Sequence, residues 1–304
     1  VENRPLESDY PHKDALFTLE QRYPIRYRWI SRVPIQLRIV GNKMHIRFFV
    51  RYSKNMLTNF PGTNISYADI SEAGVRANWA GKYYFPWLAD DGYERAMAKA
   101  SFRVLQNEED PTDNDITPSS PSVRVTVEFI RYGPRKISKL FPMQKYFRVK
   151  LARGSLFPAH VTSPLWRWYW GFFRYLQVES LYLNWSRQYP GNVTLEKTAS
   201  RHEFQQASAH ETGHLLGLGD AYGANYRFFF EAPGTGGYMM CHNRRVHPEE
   251  IEMVCKAHMT NRMHYFPKTF SASTFFTGTR RAIQLSYHPL SKADKKNRRK
   301  KTGK

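Results

Sequence analysis

The stretch His210-Glu211-Thr212-Gly213-His214-Leu215-Leu216-Gly217-Leu218-Gly219-Asp220 constrains this chain more than any other. Two histidines stand four apart, with a glutamate directly after the first. On an α-helix such residues share a face one turn apart, so both imidazoles can reach one metal ion, with Glu211 beside it. Gly217 follows three residues after His214. A glycine there can take a positive φ and end the helix in a left-handed cap. The chain then doubles back, and Asp220 can supply an oxygen to the same ion. Three protein ligands with an open fourth position describe a catalytic rather than a structural zinc site. A buried helix with two hydrogen-bonded histidines is the plain alternative.

With Gly217 and Asp220 included, the stretch resembles the extended motif of the metzincin zinc peptidases, in the snapalysin-like variant with aspartate as third ligand. Residues 213–222, Gly-His-Leu-Leu-Gly-Leu-Gly-Asp-Ala-Tyr, are similar to the GHxLGLxDxY signature of metallopeptidase domains in bacterial secreted proteins and toxins. The resemblance covers about 200–258. It implies an α+β, metzincin-like fold. A twisted, mostly parallel sheet and the active-site helix would form an N-terminal subdomain, about 31–217. A small irregular C-terminal subdomain, about 218–290, would carry a methionine turn and a helix. His210, His214 and Asp220 would hold one catalytic Zn²⁺, and Glu211 would be the general base that hydrolyses peptide bonds of a protein or peptide substrate. The chain would be secreted or delivered outside the producing cell.

The segment Gly234-Thr235-Gly236-Gly237-Tyr238-Met239-Met240-Cys241 resembles the methionine turn of that family in position and in its glycines. Met239 or Met240, with Met240 preferred, would form an apolar floor under the ligands. Some metzincins carry an oxyanion-assisting tyrosine two residues past that methionine, where Cys241 or His242 stands here. His242, Tyr222 and Tyr238 are the substitutes to test. A gluzincin arrangement, with Glu249 or Glu250 as third ligand, is the rival within peptidases.

The 304 residues carry 46 Lys+Arg against 26 Asp+Glu, a net charge of +20 that favours anionic partners such as nucleic acid or an acidic membrane. Eight of the basic side chains fall in 292–304, a tail expected to be disordered, which could address such a surface. The remaining function readings are therefore a nucleic-acid-binding or membrane-surface protein that retains an HExxH helix, although no nucleic-acid-binding motif stands out. No stretch of 18 apolar residues suggests a transmembrane helix. The chain starts at Val1, which reads as removal of an upstream segment. Cys241 and Cys255 could pair or be free and buried.

Residues 1–30 read as a proline-punctuated arm that wraps the domain. Two alternating runs, 34–40 and 45–52, flank Gly41-Asn42 and predict a hairpin with its basic residues toward solvent. Residues 68–80 predict a helix with Ile70, Ala73, Gly74 and Ala77 on one face and Gly81 closing it. Strands are expected at 82–86, 123–130, 146–151 and 160–162. The loop 107–122 is acidic enough to hold Ca²⁺ but lacks EF-hand spacing, so a solvated loop is the simpler reading. The aromatic run 164–186 reads as core or cleft wall, or else as an interfacial helix. Ser200 and Glu203 predict a capping box that opens a helix running to about 217. His202 would be a surface residue of its first turn or a support behind the ligands. Pro248 opens a further helix, with Ile251, Val254, Cys255 and His258 on one face.

Overall fold

The computed structural model describes residues 18–25, 33–85, 122–133, 146–152, 159–164, 167, 183–198, 200–221, 232 and 234–266. The acidic loop before 122, most of the aromatic run, Tyr222 and the basic tail lie outside the described residues. Among the described residues, seven strands and five helices form a mixed α/β architecture with one sheet.

The strands are β1 (Ile35–Val40), β2 (Lys43–Tyr52), β3 (Gly81–Tyr84), β4 (Ser122–Arg131), β5 (Phe147–Leu151), β6 (His160–Thr162) and β7 (Asn192–Leu195). The central ones, in the order β4-β2-β5-β7, are all parallel. β3 and β6 close the two ends antiparallel, and β1 returns antiparallel along β2. β1 and β5 share one edge of β2: β1 begins with Ile35 opposite Phe48, and β5 begins with Phe147 opposite Val50. The β1–β2 turn is the expected Gly41-Asn42 pair, with Gly41 at φ +55°. Alternation holds: Met44, Ile46, Phe48 and Val50 are buried, whereas Lys43, His45 and Arg47 are exposed.

The helices are α1 (Leu19–Arg22), α2 (Tyr67–Trp79), α3 (Arg201–Leu215), α4 (Met239–His242) and α5 (Pro248–Thr260). α1 is the described part of the N-terminal arm. The Glu20 carboxylate accepts from the Gly41 N–H at 2.7 Å, and Asn42 Oδ1 accepts from Leu19 N–H at 2.9 Å. Its far end reaches α5, where the Tyr23 hydroxyl donates to Glu252. The arm thus ties the hairpin turn to the last helix.

α2 lies against α3. Ile70 and Gly74 are buried as expected, but Ala77 is exposed, and Tyr67, Glu72, Val75 and Trp79 complete the buried face. Gly74 is the point of closest approach, since a Cβ there would lie 2.6 Å from the Gln205 backbone. Glu72 is buried with its carboxylate fully paired: Arg131 and Arg76 bond it at 2.6 and 3.0 Å, and Tyr52 donates to it at 3.1 Å. Gly81 does not close α2. Ala80 caps the helix and Gly81 opens β3. One contiguous core joins the sheet, α2, α3 and the region after residue 218. No helix among the described residues is long and apolar enough to cross a membrane. Both cysteines are buried free thiols.

Candidate metal centre

α3 begins where the sequence signals it. The Ser200 hydroxyl accepts from the Glu203 N–H at 3.5 Å, the forward half of the expected box. Its middle and end are held from outside by two indoles: Trp79 Nε1 donates to Ala209 O at 2.9 Å and Trp185 Nε1 to Leu215 O at 2.8 Å. The helix stops at Leu215, two residues before the expected end. Gly217 N–H then bonds His214 O and Leu218 N–H bonds Gly213 O, each at 3.0 Å, which is a Schellman cap with Gly217 at φ +97°. Gly219 N–H donates to His264 O at 2.8 Å, and Ala221 N–H to Met240 O at 2.9 Å. Asp220 sits between these two anchors, turned back onto α3.

His210, His214 and Asp220 converge, with one ligand atom from each lying within 4.8 Å of the others. Asp220 Oδ1 is 3.1 Å from His210 Nε2 and 3.3 Å from His214 Nε2. Ligand atoms around a tetrahedral ion with bonds of about 2.0–2.1 Å stand about 3.3–3.4 Å apart, so these separations fit a single ion. The opposite ring nitrogens are committed to backbone carbonyls, His210 Nδ1 to Met239 O and His214 Nδ1 to Leu218 O, both at 2.9 Å. A carbonyl only accepts, so each Nδ1 carries the proton and each Nε2 can present its lone pair to a metal. The three side chains could therefore hold a metal ion.

Glu211 is buried, and its Oε2 has no hydrogen-bond partner. Burial raises its carboxyl above the usual range, against the pull of His214 and His210. Burial works against a charged His214, but the Asp220 carboxylate outweighs it and the imidazole is pushed up to about 10. Asp220 is also disfavoured as an anion by burial, yet the two histidines hold its carboxyl well below the usual range.

Met240 packs under the site. A Cβ on Gly213 would lie 2.1 Å from its Sδ, so the sulfur rests directly on α3 between the two histidines. The segment is a helical turn, α4, rather than the expected tight turn. Glu250 is no third ligand. Its buried carboxylate accepts from the N–H groups of Met240 at 2.8 Å, Met239 at 3.3 Å and His247 at 2.8 Å. The Tyr238 ring stacks on His247 at 4.2 Å between centroids, and burial together with the Glu249 carboxylate raises its hydroxyl above the usual range. His242 is exposed on the last turn of α4, and His202 is exposed beside Gln206 on α3.

His160 on β6 is the neighbour that sequence reasoning placed only as a strand residue. Its strand packs against α3, so the end of the sheet reaches the helix that carries the site. A short strand offers no periodicity that would have marked it. The chain matches no family model, no curated protein and no solved structure.

Proposed function

We propose that this chain is a zinc-dependent endopeptidase of metzincin type. The observation that carries the reading is a set of three ligand atoms spaced for one tetrahedral ion, with both histidine tautomers fixed and a buried, unpartnered glutamate oxygen next to them. Nitrogen and carboxylate-oxygen ligands in this number suit zinc at a catalytic position. When bound there, zinc supplies Lewis acidity toward a scissile carbonyl and makes water a stronger acid.

The chain's own residues do the rest. Glu211 has its carboxyl raised by burial, so it can take a proton from water at Oε2 and hold it without a competing hydrogen bond. It then returns that proton to the leaving amide nitrogen. The two carbonyls behind the imidazoles keep both Nε2 atoms aimed inward through the cycle. Asp220 brings a negative charge that a third histidine would not, which tempers the acidity of the ion it holds. Release of the enzyme outside the producing cell belongs to the same reading.

Metal analysis should find one zinc per chain. Glu211→Gln should keep that zinc and lose about 10²–10⁴-fold of the cleavage rate on an unfolded protein substrate. A Glu211→Gln chain that cleaves like its parent overturns the mechanism. A parent chain that takes up zinc but cleaves no protein overturns the peptidase reading.

A further inference from the structure

The strands β1, β2, β4 and β3 lie side by side at one end of the sheet, and their registers align one residue from each. Val40 is opposite Lys43, Lys43 opposite Arg124, and Arg124 opposite Lys82. All of them are exposed. The flanking residues Met44, Val123 and Val125 are buried, so the row projects from the face turned away from the core and from α3. Strands are about 4.8 Å apart, so the cationic stems of Lys43, Arg124 and Lys82 are rooted within about 10 Å.

Of the neighbouring rows, that of Arg47 is balanced, and that of His45 carries Arg38 as well. Arg47 is opposite Glu128 and its Nε donates to Oε2 at 2.7 Å. His45 is opposite Thr126 and bonds its hydroxyl at 2.6 Å. In the row at the hairpin turn, three cations stand in register. Like charges directly opposite one another on a sheet destabilise it. A cavity of about 450 Å³ opens over this row, lined among the described residues also by Ser122 and Asn42 and by no acidic side chain. The nearby Glu20 carboxylate is held on the Gly41 N–H and does not line it. Lys82 leans over the Tyr84 ring, 4.9 Å from its centroid, and Tyr84 is opposite Ser122. The hairpin turn itself is fixed, since Arg124 N–H donates to Asn42 O at 2.9 Å and α1 grips Gly41 and Asn42.

We propose that this cleft binds a phosphate-bearing anion. The Arg124 fork matches two phosphate oxygens, Lys43 and Lys82 supply point charges on either side, and the Ser122 hydroxyl can donate a further bond. The source of the phosphate is either a free phosphoanion or a phosphomonoester headgroup on a membrane. The site is separate from the metal centre and does not depend on its chemistry.

The test titrates pyrophosphate into the full chain by calorimetry at low salt, beside the triple variant Lys43→Gln, Lys82→Gln, Arg124→Gln. Binding by the parent, weakened at least about tenfold in the triple variant and reduced by added salt, is the expected result. Arg47→Gln, in the balanced row, should bind as the parent does. Without anion the triple variant should melt no lower than the parent, because repulsion has been removed. Lys82→Gln alone, an exposed change near the sheet's end, should weaken binding about threefold and covers the case of a poorly folding triple variant. Flotation with phosphatidylcholine vesicles, with and without phosphatidylinositol 4-phosphate, separates the sources. Binding confined to pyrophosphate assigns a free anion, and row-dependent capture by the phosphoinositide vesicles assigns a headgroup. The proposal falls if the parent binds neither probe, or if the triple and single variants bind pyrophosphate as tightly as the parent, which would place the anion on other basic residues.

Discussion

Gly217 carries two demands at one position. Its φ of +97° is one that a side chain rarely adopts, and a Cβ there would lie 2.8 Å from Ala257 Cβ and 2.9 Å from the Trp185 ring. The first demand was visible in sequence, because a glycine three residues past the second histidine is a local cap signal. The second was not, since Trp185 and Ala257 reach it from distant segments. The same division runs through the site. His210, His214 and Asp220 could be grouped from spacing alone, because helix geometry and a tight return act over ten residues. The Glu250 carboxylate, the two indoles and His160 could not, because tertiary packing brings them in. Gly217→Ala should destabilise the chain by about 2–4 kcal/mol, from the left-handed backbone and the overpacking together. It should also weaken zinc binding, because the cap delivers Asp220. Denaturant unfolding and a competitive zinc titration check both, and unchanged zinc affinity would show that the return to Asp220 does not need this cap.

At the scale of elements, α4 and α5 are one device. The Glu250 carboxylate closes the first turn of α5 and at the same time caps α4 by accepting from Met239 and Met240. Met239 O in turn orients His210, and Met240 Sδ rests on Gly213. A glutamate in the first turn of a helix reads from sequence as a dipole partner, and its role in aligning a metal ligand is legible only from the fold. Glu250→Gln keeps the shape but removes the charge shared by three N–H donors, at a cost of about 2 kcal/mol or more. Zinc affinity should fall with it while Glu211 stays intact. Measuring zinc affinity and cleavage per zinc-loaded chain separates the two: loss of rate at full zinc loading would mean that Glu250 acts on the reaction rather than on the ligand. The misjudged elements share a cause. Asn192–Leu195 is too short to show alternation after a Pro-Gly turn, and becomes a strand only by pairing with β5 and β6. The expected face of α2 is right at Ile70 and Gly74 and wrong at Ala77, because alanine periodicity does not show the turn that Trp79 and the charge-paired Glu72 bury.

Over the whole molecule, the core is continuous from the hairpin to Phe266 without any metal in it. Chelation should therefore lower stability without unfolding the chain. Three buried groups act on the pH response of the chelated form: His258, His214 and Glu250, whose carboxyl is pushed up to about 7 by burial. His258 packs edge-on to Trp185, and burial, reinforced by Arg187, presses its imidazole down to about 3. The unfolded chain takes up a proton there near pH 6.5 that the folded chain refuses, so this group's contribution falls as pH drops below about 6.5, by about 1.4 kcal/mol per unit. Glu250 keeps a proton up to about pH 7 that the unfolded chain releases near 4.5, and so acts with the opposite sign. His214 is raised to about 10 beside Asp220, so its contribution is complete below about 6.5 and is lost as pH climbs toward 10. The chelated chain should thus change little between about pH 4.5 and 6.5, where His258 and Glu250 offset each other, and weaken as pH climbs from about 6.5 toward 10. Zinc should oppose that alkaline decline. The ion needs His214 neutral at Nε2, so uptake near pH 8 should release a proton, and affinity should rise with pH as that proton becomes easier to displace. Thermal melts from pH 4 to 9, with zinc and with chelator, check this. His258→Phe should gain stability relative to the parent as pH falls below about 6.5 and leave the alkaline decline unchanged. If the alkaline decline persists unchanged in the zinc-loaded chain, His214 is not giving up its proton to a metal, and the three side chains are a hydrogen-bonded cluster instead.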